Sequence, residues 1–199
     1  MYPSAHQSYI FDWWDYRGQG KIRCMDISRE YGDRLAAYRD NKHVVPIGIF
    51  GSFHRYDLLE ALRDHLVASG YPASLSTDLA SRIPQADGED PDVYNFRISR
   101  ELIDGSGICI FTIFSEGPGE TNINQSISQE AQYLYDTQEL GRRGDDPRVL
   151  VLVEEGSKPA SLFKGLVKSC HPRWNEAPFS SREDLLMAAR QFCWNVTGG

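Results

Sequence analysis

From Val44 onward, short apolar runs alternate with longer stretches in which apolar residues recur every three to four positions. The runs suit strands buried on both faces and the stretches suit helices laid against them, so the alternation predicts a parallel sheet covered by helices. The first strand is expected over Val44 to Phe50. Asp57-Leu-Leu-Glu60 then has the form of a capping box with Asp57 as the cap, and Leu58, Leu59, Leu62 and Leu66 line one face of a helix that stops at Gly70. A second strand, about Ala73 to Ser76, leads into TDLASRIPQADGEDPD, whose Pro, Gly and acidic residues predict a long loop. Long loops in compact domains often carry function.

A helix over Asp92 to Asp104 feeds a strand over Ile108 to Phe114, and the loop SEGPGET opens a helix from about Asn122 to Leu140. The strand Val149 to Val153 follows, and Pro159 suits the first turn of a short helix through Val167. An edge strand is expected around Trp174 to Phe179. Ser180-Ser-Arg-Glu183 caps a last helix, whose apolar stripe is Leu185, Leu186, Ala189, Phe192, Cys193 and Val196. This alternation predicts an α/β fold: a flavodoxin-like, doubly wound parallel five-stranded sheet in the order 2-1-3-4-5, because right-handed crossovers put helices on both faces. Ligands bind such sheets outside the carboxyl ends of the strands, at the switch point between the first and third strands. The loops after Phe50 and Phe114 are therefore the first candidates.

Residues 1–43 break the pattern. SYIFDWWDY is rich in aromatics, RGQG signals a turn, and Asp26 to Asn41 predicts an amphipathic helix. This segment is read as a small aromatic-rich extension for packing or oligomerisation, with residues 44–199 forming the α/β domain. Trp13 and Trp14 suit burial against that domain or a second subunit, since large aromatics are enriched at interfaces; stacking on a nucleotide is the alternative.

The 199 residues carry 21 Lys+Arg against 28 Asp+Glu, a net charge of -7. That balance argues against nucleic acid as a partner, because phosphate-backbone binding relies on clustered cations. The apolar runs VVPIGIF, ICIFTIF and VLVLV are far shorter than the roughly 20 residues that cross a bilayer, and the N-terminus lacks a basic segment followed by an apolar core. A soluble, cytoplasmic chain without a membrane partner is expected. Cys24, Cys109, Cys170 and Cys193 form no CxxC pair, and neither Cys170-His171 nor the five histidines make a zinc pattern, so reduced structural thiols and no bound metal are expected.

Glu130 is the principal candidate for chemistry. In NINQSISQEAQYLYD the buried stripe is Ile123, Ile127, Ala131 and Leu134; at about 100 degrees per residue Glu130 falls about 60 degrees from Ile127, on the flank of that stripe. Ser126 and Tyr133 sit beside it at helical spacing; the alternative is a boundary Glu reaching for water. In IFGSFHRYD, Gly51 and Ser52, followed by Phe53, permit close approach of a ligand at the end of the first strand, or simply make a tight turn. Neither GxGxxG nor GxxxxGK[ST] is present, which disfavours a dinucleotide-binding fingerprint and Walker chemistry. Asp78, Arg82, Tyr94 and Arg97 lie in or after the long loop, where they could close over a polar substrate or simply be solvated, and Ser115 and Glu116 follow the third strand.

The strand ending in GSF, the helix DLLEALRDHLVASGY, Asp78 after the second strand, RISRELIDGSGICIF, and S-I-S-Q-E-A opening a helix together resemble the nucleoside 2-deoxyribosyltransferase-like superfamily. That group is related in architecture to Toll/interleukin-receptor-type (TIR) domains. The resemblance covers roughly Val44 to Val196 and places Glu130 where the transferases carry their nucleophile and where TIR-type NAD hydrolases carry a helix-borne Glu. It implies N-glycosidic cleavage of a nucleotide or nucleoside, with Asn124 and Ser126 at ribose hydroxyls, Ser52 at the sugar or phosphate, and Arg82 or Arg97 at the phosphates. It also implies a homo-oligomer. The family commonly has acids where this chain has Gly107 and Asn124. Protonation of a departing base is then harder, which favours NAD, whose nicotinamide leaves as a neutral molecule; NAD would be substrate, with no resident cofactor. The alternative is a non-catalytic nucleotide sensor or TIR-like interaction module.

Overall fold

Pro46 has no N–H to give to a neighbouring strand, and the first strand begins directly after it and ends one residue past Phe50: β1 is Ile47–Gly51. The computed structural model describes residues 45–117, 124–139, 148–159, 161–169 and 174–197. Trp13, Trp14, Cys24, the helix expected at Asp26 to Asn41, Val44, Cys170, His171, and Asn122, Ile123 and Leu140 of the fourth expected helix lie outside the described residues.

β1 is followed by a 3-10 turn, Phe53–Arg55, and α1, Tyr56–Ala68. Asp57 is not the cap that the sequence pattern suggests. It lies inside the first turn of α1, and it is Ser52 that caps, its Oγ accepting from His54 N at 3.4 Å at the head of the 3-10 turn. The other end of α1 follows the expectation: Gly70 is left-handed with φ 88°. Tyr71 N reaches Leu66 O at 3.0 Å and Gly70 N reaches Val67 O at 2.9 Å, the paired bonds of a Schellman stop.

β2 is only Ala73–Ser74, and the stretch read as one long loop winds instead into α2, Ser76–Ala80. The Asp78 carboxylate starts that helix by accepting from Leu75 N at 2.7 Å, and it pairs with Arg63 of α1 at 3.0 Å. The rest of the stretch is tied to α3, Pro91–Gly105. Tyr94 Oη donates to the carbonyls of Ala80 and Ile83, and Arg97 grips Glu89 at 2.7 and 2.9 Å. Asp90 caps α3, whose first residue is Pro91.

Then come β3, Ile108–Ile113, α4, Gln125–Glu139, β4, Arg148–Glu154, α5, Ser161–Ser169, β5, Trp174–Phe179, and α6, Arg182–Val196. The cap of α6 sits one residue later than expected. Ser181 Oγ accepts from Asp184 N, and the Asp184 carboxylate reaches back to Ser180. All strand pairings are parallel, in the order 2-1-3-4-5. The fold is thus the flavodoxin-like α/β class read from the sequence.

Every residue of the central β3 is buried, which is why ICIFTI reads as a continuous apolar run. One face of the sheet packs on α1 and α6 through Leu59, Leu62, Leu66, Leu185 and Ala189. The other packs on α3, α4 and α5, where Phe50, Phe111 and Trp174 stack in a row, with centroids 4.9 and 5.9 Å apart. Trp174 Nε1 donates to Gln138 at 2.9 Å, so the buried indole is satisfied. Cys109 and Cys193 are free and buried, as expected of structural thiols. Among the described residues no helix is long and apolar enough to cross a membrane.

Candidate functional site

The parallel ladder pairs Gly51 with Thr112, so the turn after β1 and the loop after β3 emerge side by side at the carboxyl edge. Gly51, Ser52, Phe53, Ser115 and Asn124 gather there. Gly51 also matters for packing, because a Cβ on it would lie 2.5 Å from Leu59 Cδ2; its bareness lets α1 lie close to the sheet. Ser52 is buried, and Phe53 is 57% exposed, its ring 5.9 Å from that of Tyr56.

Three connections organise this edge. Ser115 donates through both its backbone N, at 2.7 Å, and its Oγ, at 2.8 Å, to Glu154 Oε2 at the end of β4. Arg55 reaches the same oxygen at 3.4 Å and lies 5.2 Å over the Phe114 ring. Asn124 accepts from Phe114 N at 3.1 Å and donates to Phe114 O at 2.9 Å, pairing with the strand end as another strand would. Arg55 and Glu154 were missed in the sequence, although Glu154 directly follows the apolar run of β4, where switch-point residues belong.

Asp78 and Arg82 stand apart from this group. The Asp78 carboxylate is engaged by Leu75 and Arg63, as above, and Arg82 is exposed beyond the end of α2. Arg97 is held by Glu89. Ser126 is exposed in the first turn of α4.

Glu130 lies deeper. α3 and α4 both return the chain from the carboxyl to the amino edge of a parallel sheet, so they run parallel to each other. Glu130 is five residues into α4, about 7.5 Å from Gln125 along the axis. Its flank position follows the sequence pattern, since Ile127, Ala131 and Leu134 are fully buried and Glu130 is half-buried. Beside it Tyr133 fastens α4 to α3: its hydroxyl donates to Asp104 at 3.0 Å and accepts from Arg100 at 3.4 Å, and its ring lies under the Arg100 guanidinium, 4.7 Å from the centroid. Loss of water pushes the Glu130 carboxyl up to about 7, against the pull of a hydrogen bond from Ser99 of α3. Burial, and then the nearby Glu130 charge, push the Cys109 thiol on β3 upward. Ser99 was not singled out in the sequence; its spacing of three from buried Leu102 was the available signal.

Among the described residues no cluster of His, Cys, Asp or Glu could hold a metal. The site offers a desolvated carboxyl in a helical seam, hydroxyl groups near it, and a polar edge with an exposed aromatic.

No family model matches the sequence, and no curated protein matches it. Among solved structures the chain is similar to a CMP N-glycosidase of Clostridium botulinum, BcmB (11% identity, TM-score 0.48, 74% of this chain and 98% of that one). It is similar to a conserved protein of Enterococcus faecalis V583 (18% identity, TM-score 0.47, 74% and 98%). A 2-deoxyribosyltransferase of Bacillus psychrosaccharolyticus (14% identity, TM-score 0.45, 71% and 90%) is also similar. Each likeness is one of fold.

Proposed function

We propose that the chain cleaves the N-glycosidic bond of a nucleotide or nucleoside, an NAD-type substrate being favoured, with Glu130 as the catalytic carboxylate. One observation carries this reading. Glu130 is desolvated in the seam below the switch-point edge, its carboxyl raised to about 7, and among the described residues no cation pairs with it. A group that changes charge near neutral pH for a local physical reason is what acid–base and nucleophilic chemistry calls for.

In the reaction, the ionised carboxylate attacks C1′ of the ribose, or faces the oxocarbenium-like charge that develops there, while the bond from C1′ to the base nitrogen breaks. With NAD the bonding pair returns to the cationic ring, so nicotinamide departs neutral and needs no proton. Water then takes the sugar, releasing one proton and the carboxylate. Ser126, exposed near the head of α4, and the spare donor and acceptor of Asn124 suit ribose hydroxyls. Ser52 and the N–H groups of the turn after β1 suit the sugar or a phosphate, and exposed Arg82 is the cation to test for phosphate.

Wild type and Glu130→Gln are incubated with NAD and, separately, with nucleosides and deoxynucleosides, and the products are resolved by chromatography. Free base from wild type and none from the variant is expected. Because only the ionised form attacks, kcat/KM rises with pH, with a midpoint of about 7. A folded Glu130→Gln protein with full activity refutes the assignment. Absence of base release by wild type, together with thermal stabilisation by a nucleotide, makes the chain a sensor.

A further inference from the structure

We infer that Glu154 sets the preference of the carboxyl edge between phosphorylated and unphosphorylated ligands, by competing with a ligand phosphate for the guanidinium of Arg55. This deepens the reading above, on which it rests for the kind of ligand. Strand order supplies the geometry. Arg55 follows the turn after β1, crosses the end of β3 with its guanidinium 5.2 Å over the Phe114 ring, and meets Glu154 at the end of β4. Phe114 makes a firm floor, fully buried and edge-on to Phe179 at 6.3 Å. The cation therefore stands at the carboxyl edge beside the switch point, where ligands of such sheets bind.

The bond to Arg55 is the longest that Glu154 makes. Its Oε2 accepts from Ser115 N at 2.7 Å and from Ser115 Oγ at 2.8 Å, but from Arg55 Nη1 at 3.4 Å. A guanidinium carries only donors, and Nε and Nη2 of Arg55 bond nothing among the described residues. Its side chain is 31% exposed, against 17% for Glu154. The remaining N–H groups thus face outward in the planar fork that matches two oxygens of a phosphate. Ser115 keeps both of its bonds to Glu154 when Arg55 turns away, so the exchange strands no partly buried carboxylate. What the exchange loses is the attraction between Arg55 and Glu154. A phosphate replaces that attraction with its own charge; a neutral hydroxyl or carbonyl does not, and leaves Arg55 on Glu154. Glu154 therefore weakens the binding of a phosphorylated ligand and leaves that of a neutral one unchanged.

The test measures binding by calorimetry to the full chain carrying Glu130→Gln, so that ligands are bound without turnover. The probes are nicotinamide mononucleotide, nicotinamide riboside, which lacks only the phosphate, and inorganic phosphate. Adding Arg55→Gln weakens the mononucleotide at least about ten-fold, the worth of a charge-assisted hydrogen bond. Arg55→Lys keeps the charge without the fork and retains part of the affinity. Adding Glu154→Gln, which still accepts from Ser115, tightens the mononucleotide roughly five-fold, and most of that gain vanishes when Arg55→Gln is also present. Inorganic phosphate follows the mononucleotide, and the riboside is unmoved by either change. A mononucleotide affinity unchanged in Arg55→Gln, or not tightened in Glu154→Gln, overturns the inference, as does a gain that persists without Arg55. No detectable binding of phosphate and mononucleotide alike also overturns it. If phosphate or mononucleotide follows the expected pattern while wild type releases no base from any substrate, it is the proposed reaction that fails, and the competition at Arg55 stands.

Discussion

Replacing Glu130 with Gln alters stability in a way that depends on pH and not on substrate. In the folded chain the carboxyl is raised from 4.5 to about 7 by burial. A raised carboxyl binds its proton more tightly in the folded state than in the unfolded one. Its contribution to stability is therefore complete below the unfolded value and is lost as pH rises through the folded value. With those two values, linkage gives a loss of about 2.5 kcal/mol between about pH 5 and pH 8. Gln at the same place has no proton to lose. The stability of Glu130→Gln relative to wild type should thus improve by about 2.5 kcal/mol over that interval, other titrating groups cancelling in the difference. Urea denaturation of both proteins at the two pH values reads this directly. With a slope of about 2 kcal/mol per molar urea, the gap between midpoints changes by roughly 1.2 M. A gap that stays the same at both pH values refutes the argument, because it means the carboxyl is no more desolvated when folded than when unfolded.

Gly51→Ala places a Cβ 2.5 Å from Leu59 Cδ2, so thermal melting should show a loss of about 1–3 kcal/mol, and its combination with Leu59→Ala should lose less than the sum of the two single losses; no loss in Gly51→Ala would mean that α1 does not pack against β1 as described. Asn124→Asp keeps an acceptor for Phe114 N but brings a carboxylate to Phe114 O, where the amide now donates. A cost of about 1–3 kcal/mol above neutral pH is expected, smaller in acid, where the protonated acid can donate again; a cost independent of pH would contradict the pairing.

The sheet was readable because its central strands are almost continuously apolar. In ICIFTI and VLVLV only Thr112 is polar, and a strand covered on both faces suits such short runs. The seat of Glu130 was readable for a related reason, since a single helix fixes its angle from Ile127. Caps were harder. Ser180 and Ser181 stand in tandem, as do Glu183 and Asp184, so two registers satisfy the same box locally; the observed one is shared with burial of Leu185, one turn further on. The stretch after β2 looked like a loop because its helix is five residues long and held by Asp78 and Arg63, a pair that sequence spacing does not announce. The same holds for Ser115, Arg55 and Glu154, which meet across 39 and 99 residues. Contacts of that range are set by strand order and become visible only once the sheet is assembled.

The two fastenings at the end of β3 have a consequence for how this region can vary. Ser115 is anchored to Glu154 on one side, and Asn124 is anchored to Phe114 on the other. A change at Ser115, Glu154 or Asn124 therefore reaches beyond its own contact: the end of β3 is tied sideways to β4 and forward to the head of α4, and the carboxyl five residues along α4 keeps its height against the sheet only while both ties hold.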